Sequence, residues 1–332
     1  MFKIGTFILS LLKKNKKLEA PQDKYSVILE KIMNSNVIKD FEVEAAKKIK
    51  IKDIGKEYGK KLKEEKFIYN YPLRTALTRE QVMELTQKFF EYIDHDMANM
   101  ITESLKGKNL KIVIKTPDYD KTHEAFAGNP NDKIMSVVVP IRGDLRDLYG
   151  LVHELTHTLD IKNGDNTTRK ILGEVAPQCM ERMLDEYLVI LPQEELDKYG
   201  IDKNILLKDI YDRKVTTFLS RVDNAIGFNN KSVNDKKIEL RYVLAQIYQS
   251  KFMKYSRNER RNKIIEFIRS VERDDFDKAN NTFGIDLENS FQRRIYIYNS
   301  IQEIEEIINL QKKEGDVPII EAESNKKREE RE

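Results

Sequence analysis

Tryptophan is absent from this chain, and cysteine occurs once, at Cys179. A lone cysteine excludes an intramolecular disulfide, so stability has to come from a packed core and from any bound metal. It fits a reducing compartment, and a cytoplasmic protein is the expectation, with secretion or translocation as the alternative. An excess of either charge is missing too: 59 Lys and Arg stand against 56 Asp and Glu. The two signs are interspersed, which argues against the one-sided basic field of a nucleic-acid binder. No apolar run approaches the roughly 20 residues that a membrane-spanning helix needs.

The first residues carry one short apolar stretch, Ile4 to Leu12, followed by Lys13-Lys14-Asn15-Lys16-Lys17. Most of the charge comes after the apolar residues, the reverse of a secretory signal peptide. Two readings stand for residues 1–17. One is a first helix packed on the core, and the other is a weak contact with a membrane surface.

What the chain does have is helical periodicity. Thr78 with Gln81 reads as a capping box opening an amphipathic helix that runs to about Leu105. Two β-rich runs follow, Lys111–Lys115 and Ile134–Val139, the second closed by Pro140. After Gly143 the pattern is helical again. Helices are expected from Asp144 to about Ile161, from about Thr168 to Leu191, and then over 205–222, 235–255, 257–272 and 287–311. Ser256 with Glu259 is a second capping box. A mainly α fold is therefore expected, with a small sheet just before the helix at 144–161.

That helix carries the chemistry. Only four histidines exist, and two of them fall in the run His153-Glu154-Leu155-Thr156-His157. Positions i and i+4 share one helix face, so both imidazoles can reach a single Zn²⁺. Glu154 lies beside the first ligand and can take a proton from an attacking water. The alternative is two histidines on an ordinary amphipathic helix. Leu148, Val152, Leu155 and Leu159 favour a buried helix, on which a glutamate is costly without a function or a partner.

A catalytic zinc needs a third protein ligand. His95, His123 or a downstream carboxylate can supply it. Glu174, Glu181 and Asp185 recur near one face of the following helix. An antiparallel return after the turn at Asn163–Asn166 would bring Glu174 back towards His157, so Glu174 is the expected ligand. Glu181, Asp185 or Asp160 would then orient a ligating imidazole. His95 reads as structural.

The run Glu174-Val175-Ala176-Pro177-Gln178-Cys179-Met180-Glu181 resembles the third-ligand segment of a zinc metallopeptidase family. The family is the one that includes thimet oligopeptidase and oligoendopeptidase F. Both glutamates and the glutamine match, while Pro177 stands where the family usually has serine. Arg241-Tyr242-Val243-Leu244-Ala245-Gln246-Ile247 looks like the family's C-terminal active-site helix. Phe283-Gly284-Ile285-Asp286-Leu287 is similar to its Gly-Ile-Asp-Leu run. The resemblance covers about Ser136 to Leu287.

The resemblance implies a short, divergent gluzincin with a zincin-like core and peptide or protein substrates. It also implies a role for Tyr242 in stabilising the oxyanion. A core tyrosine is the other reading of Tyr242, and His123 is the other candidate donor. Residues 1–66 are then a helical extension, 67–311 the catalytic domain and 312–332 a charged tail without fixed structure. The family's His and second Tyr ahead of its active-site tyrosine have no counterpart between Gly227 and Asp235, and no histidine follows His157. The chain is shorter than a full-length member, so a reduced helical cap is expected. The strand at 134–139 can serve as an edge that pairs with extended peptide, or as a core strand. Two further readings stand beside an active peptidase. The missing His and Tyr suggest a dead peptide-binding scaffold. The short chain and the Glu-rich end at 321–332 suggest a translocated bacterial effector that acts on a host protein.

Overall fold

A computed structural model describes residues 77–107, 110–115, 126–127, 135–140, 145–159, 172–203, 233–271 and 275–287. It also describes scattered positions at 206–213 and 289–299. The expected extension at 1–66, the tail at 312–332, His123 and Asp160 lie outside the described residues. Within them the expected fold class holds: mainly helical, with a small sheet ahead of the histidine helix.

The two capping boxes form. Thr78 Oγ1 accepts from Gln81 N at 3.2 Å, and Gln81 Oε1 accepts from Thr78 N at 2.8 Å, opening α1 (Arg79–Ile93). Val82, Leu85, Phe89, Phe90 and Ile93 recur at helical spacing and are all buried. Each such side chain contributes roughly 1.5–3 kcal/mol. The single helix expected to reach Leu105 is in fact two. Asp94 is extended (φ −163°, ψ 121°) and ends α1. Its Oδ1 accepts from Met97 N at 2.9 Å, which caps α2 (His95–Lys106). A short acidic side chain gains more at an N-cap than in a helix interior, and Arg269 holds this one at 2.6 Å.

The sheet has the strand order β1-β3-β2. β1 (Leu110–Lys115) runs parallel to β3 (Met135–Pro140), with Ile112 opposite Val137. A two-residue β2 (Phe126–Ala127), not anticipated from sequence, pairs antiparallel with Val138 and Val137. Among the described residues β3 is thus the central strand and not the peptide-pairing edge. Its run Val137-Val138-Val139 is buried throughout, as a strand covered on both faces requires.

From β3 the chain enters α3 (Leu145–Leu159), whose Leu148, Val152, Leu155 and Leu159 are buried as expected. The next helix, α4 (Val175–Ile190), starts seven residues later than expected. Leu172 to Glu174 form a turn, with Val175 N donating to Leu172 O at 3.1 Å. Pro177 is the physical reason. Its ring has no N–H and would clash with the carbonyl four residues back, so it belongs in a first turn. A helix from Thr168 would have buried it mid-helix. The short α5 (Gln193–Asp197) follows.

The C-terminal half supplies α6 (Val233–Phe252), α7 (Arg257–Ser270) and α8 (Phe276–Phe283). Phe283 is their hub, with Tyr248, Phe252 and Phe267 edge-on at centroid distances of 5.3, 6.0 and 5.1 Å. Gly284 ends α8 in the left-handed conformation (φ +59°), which glycine adopts without a Cβ penalty. Among the described residues no helix is long and apolar enough to cross a membrane.

Candidate metal centre

α3 and α4 pack antiparallel, and polar rungs cross between them. Tyr149 Oη donates to Asp185 Oδ1 at 2.7 Å. One turn further along α3, His153 Nδ1 lies 2.6 Å from Glu181 Oε1, one turn back along α4. The last rung sets His153 and His157 against Glu174, the residue just ahead of α4.

Three donor atoms converge there. Glu174 Oε2 is 3.3 Å from His153 Nε2 and 3.8 Å from His157 Nε2. All the ligand atoms lie within 4.8 Å of one another, and the three residues can hold a metal ion. Donors on a tetrahedral zinc at 2.0–2.1 Å stand about 3.3 Å apart, so the observed separations fit such an ion. His157 and Glu174 are buried, and Glu174 Oε2 accepts no well-aligned hydrogen bond. A buried carboxylate oxygen aimed between two imidazoles, with no donor of its own, is the arrangement a cation satisfies.

The electrostatics follow from the same geometry. Burial alone would raise the Glu174 pKa. The His153 imidazole, the charges of His157 and His153, and the guanidinium of Arg241 outweigh it and hold the carboxyl at about 2. Burial works against a charged His153, yet Glu174 and Glu181 on either side push its pKa well above the usual histidine value. A bound metal replaces the proton at Nε2, so protons compete with it and occupancy falls as pH falls.

Glu181 stands behind His153, on the side away from Glu174. With the Glu181 carboxylate accepting from Nδ1–H, Nε2 of His153 is the nitrogen left facing Glu174. Glu181→Gln weakens that orientation and lowers ligand basicity. Metal affinity is expected to fall roughly 10–100-fold, with the fold intact, as read by competition with a chromogenic chelator. Wild-type affinity would remove Glu181 from this role.

Asp185 does something else. It accepts from Tyr149, from Arg213 Nη2 at 2.8 Å and from Arg182 at 3.4 Å. The Arg213 guanidinium lies 3.3 Å above the Tyr149 ring. Asp185 therefore ties α3 to α4 and, among the described residues, meets no imidazole. His95 is exposed at the start of α2 and takes no part in the cluster. Glu154 is buried on α3 beside His153. Tyr242 is half-buried on α6. Arg241, next to it, is half-buried as well.

The sequence matches no family model and no curated protein. Solved structures do match. A protein from Bacillus anthracis str. Ames described as an oligoendopeptidase F superposes with a TM-score of 0.51 at 14% identity, over 70% of this chain and 46% of that one. One from Chlamydophila abortus described as a peptidase gives 0.44 at 14% identity, over 88% of this chain and 56% of that one. The chain thus spans about half the length of the structures it matches. The first likeness shows a peptidase fold, and at 14% identity it shows the fold alone.

Proposed function

We propose that the protein is a zinc-dependent peptidase, with His153, His157 and Glu174 as the metal ligands and Glu154 as general base. The observation that carries this reading is the convergence of two imidazole nitrogens and one buried carboxylate oxygen, 3.3 and 3.8 Å apart, on a peptidase fold. Two nitrogens and one oxygen suit zinc, and three protein ligands leave the fourth position open for catalysis.

Zinc, when bound, supplies Lewis acidity that makes water nucleophilic near neutral pH. The chain's own groups do the rest. Glu154 accepts the proton of the attacking water and delivers it to the leaving amine. Glu181 holds the His153 ring so that Nε2 stays available. The resemblance assigns Tyr242 as a hydrogen-bond donor to the oxyanion. The substrate is a peptide or an unfolded protein segment.

The test is cleavage of a mixed set of quenched fluorescent peptides by purified, zinc-loaded protein. A chelator should stop turnover, and added zinc should restore it. Turnover that survives chelation would sink the zinc dependence. Absence of cleavage across the whole set would sink the peptidase reading.

A further inference from the structure

Glu174, just ahead of α4, and Gln178, Glu181 and Asp185 on it recur at helical spacing along the face that meets α3. Three of the four are carboxylates with partners already described. Gln178 is different. It is 3% exposed, and neither end of its side-chain amide, Nε2 or Oε1, has a hydrogen-bond partner. Turning the amide over changes nothing, because both ends lack one. Its main chain, in contrast, is fully used. Gln178 N donates to Glu174 O at 3.2 Å, and Gln178 O accepts from Gln249 Nε2 at 2.8 Å. Burying a bare amide is costly, and an aliphatic side chain of the same size avoids that cost.

The helix geometry gives the amide a neighbour. The bond from Gln178 N to Glu174 O sets the two residues one turn apart on one face. Helical side chains lean towards the N-terminus, so that of Gln178 lies over the turn that carries Glu174. Glu174 is buried as well, and its Oε2 has no aligned donor. Of the four polar residues on this face, only Gln178 has N–H groups to offer a carboxylate.

We infer that Gln178 is a positioning residue: with the metal held, its Nε2 donates to the Glu174 carboxylate and fixes that ligand in place. The inference rests on the proposed metal site of His153, His157 and Glu174. A carboxylate bound to a metal keeps further lone pairs, and a donor behind it sets its orientation. Glu181 acts in this way on the His153 ring, and Gln178 acts so on Glu174. Two of the three ligands are then steadied by side chains of α4, spaced less than one turn apart along it.

The test compares Gln178→Met with wild type. Methionine nearly matches glutamine in size and brings no donor. Two effects of opposite sign are expected. Zinc affinity, read by competition with a chromogenic chelator, should fall roughly 10–100-fold. The melting temperature of the metal-free protein should stay the same or rise, because an apolar group has replaced a buried amide without partners. Cobalt gives an independent signature: the visible bands of the cobalt-loaded variant should shift from those of wild type, since the Glu174 oxygen is held differently. Gln178→Leu carries the same expectations should the Met variant fail to fold. A residue that only packs would move neither the affinity nor the cobalt bands, and that result overturns the inference. So does an affinity loss accompanied in both variants by a lower metal-free melting temperature, since a damaged helix interface then accounts for it. A wild type that binds neither zinc nor cobalt sinks the metal site itself, and this inference with it. Equal affinity of wild type and Gln178→Met sinks only Gln178.

Discussion

Glu154→Gln is expected to retain its full complement of metal and lose turnover by roughly a thousandfold, within the 10²–10⁴ that a general base contributes. Glutamine keeps the shape and the acceptor oxygen but cannot take a proton at neutral pH. Glu154 is buried one residue after His153, and it is not among the three residues whose donor atoms converge. Its replacement therefore removes no metal ligand. Since the proton moves only after substrate has bound, the loss should fall on kcat and leave KM near its wild-type value. Elemental analysis, a melting curve and steady-state kinetics on the same preparation check all three points. Normal turnover in the variant would end the assignment of Glu154 as base.

The grouping of His153, His157 and Glu174 was legible because most of its information is local. His153 and His157 are four apart on one helix, and helical geometry alone puts them on one face. The return of Glu174 depended on an antiparallel partner, which a turn between two helices made the simplest topology. The ladder Tyr149–Asp185, His153–Glu181, His157–Glu174 follows from that same antiparallel register.

What stayed hidden needed contacts between residues far apart in sequence. Gln249 of α6 meets Gln178 of α4 only because the two helices run alongside each other, and no periodicity encodes that alignment. Asp185 was placed on the correct face yet faces Tyr149 and Arg213, because a carboxylate takes the strongest donors within reach. The break at Asp94 and the late start of α4 are different. Their signals, an Asp three residues ahead of Met97 and a proline at Pro177, stood in the sequence. The longer apolar pattern around each obscured them.

Glu174→Ala is expected to lower metal affinity by more than about a hundredfold, beyond what loss of an orienting carboxylate costs. Two imidazoles remain, but the only anionic donor of the cluster is gone, and three protein ligands are what a catalytic zinc requires. Glu174→Gln should lose nearly as much, since the charge goes while the shape stays. The metal-free protein gives a second, independent signature. Glu174 is held at about 2, below the ordinary 4.5, so its contribution is present above 4.5 and is lost as pH falls towards 2. His153 is raised above the ordinary 6.5, so its contribution is present below 6.5 and is lost as pH rises through the raised value. Both hold in full only between about 4.5 and 6.5, where carboxylate and imidazolium face each other. Without metal, Glu174→Ala should therefore cost most stability in that window and progressively less on the alkaline side. With zinc, wild type should gain stability over the variant at neutral pH too, because only wild type binds the ion there. Calorimetric melting across that pH range, with and without zinc, reads both effects. Full metal occupancy of Glu174→Ala by elemental analysis would refute Glu174 as a ligand, whatever the melting curves show.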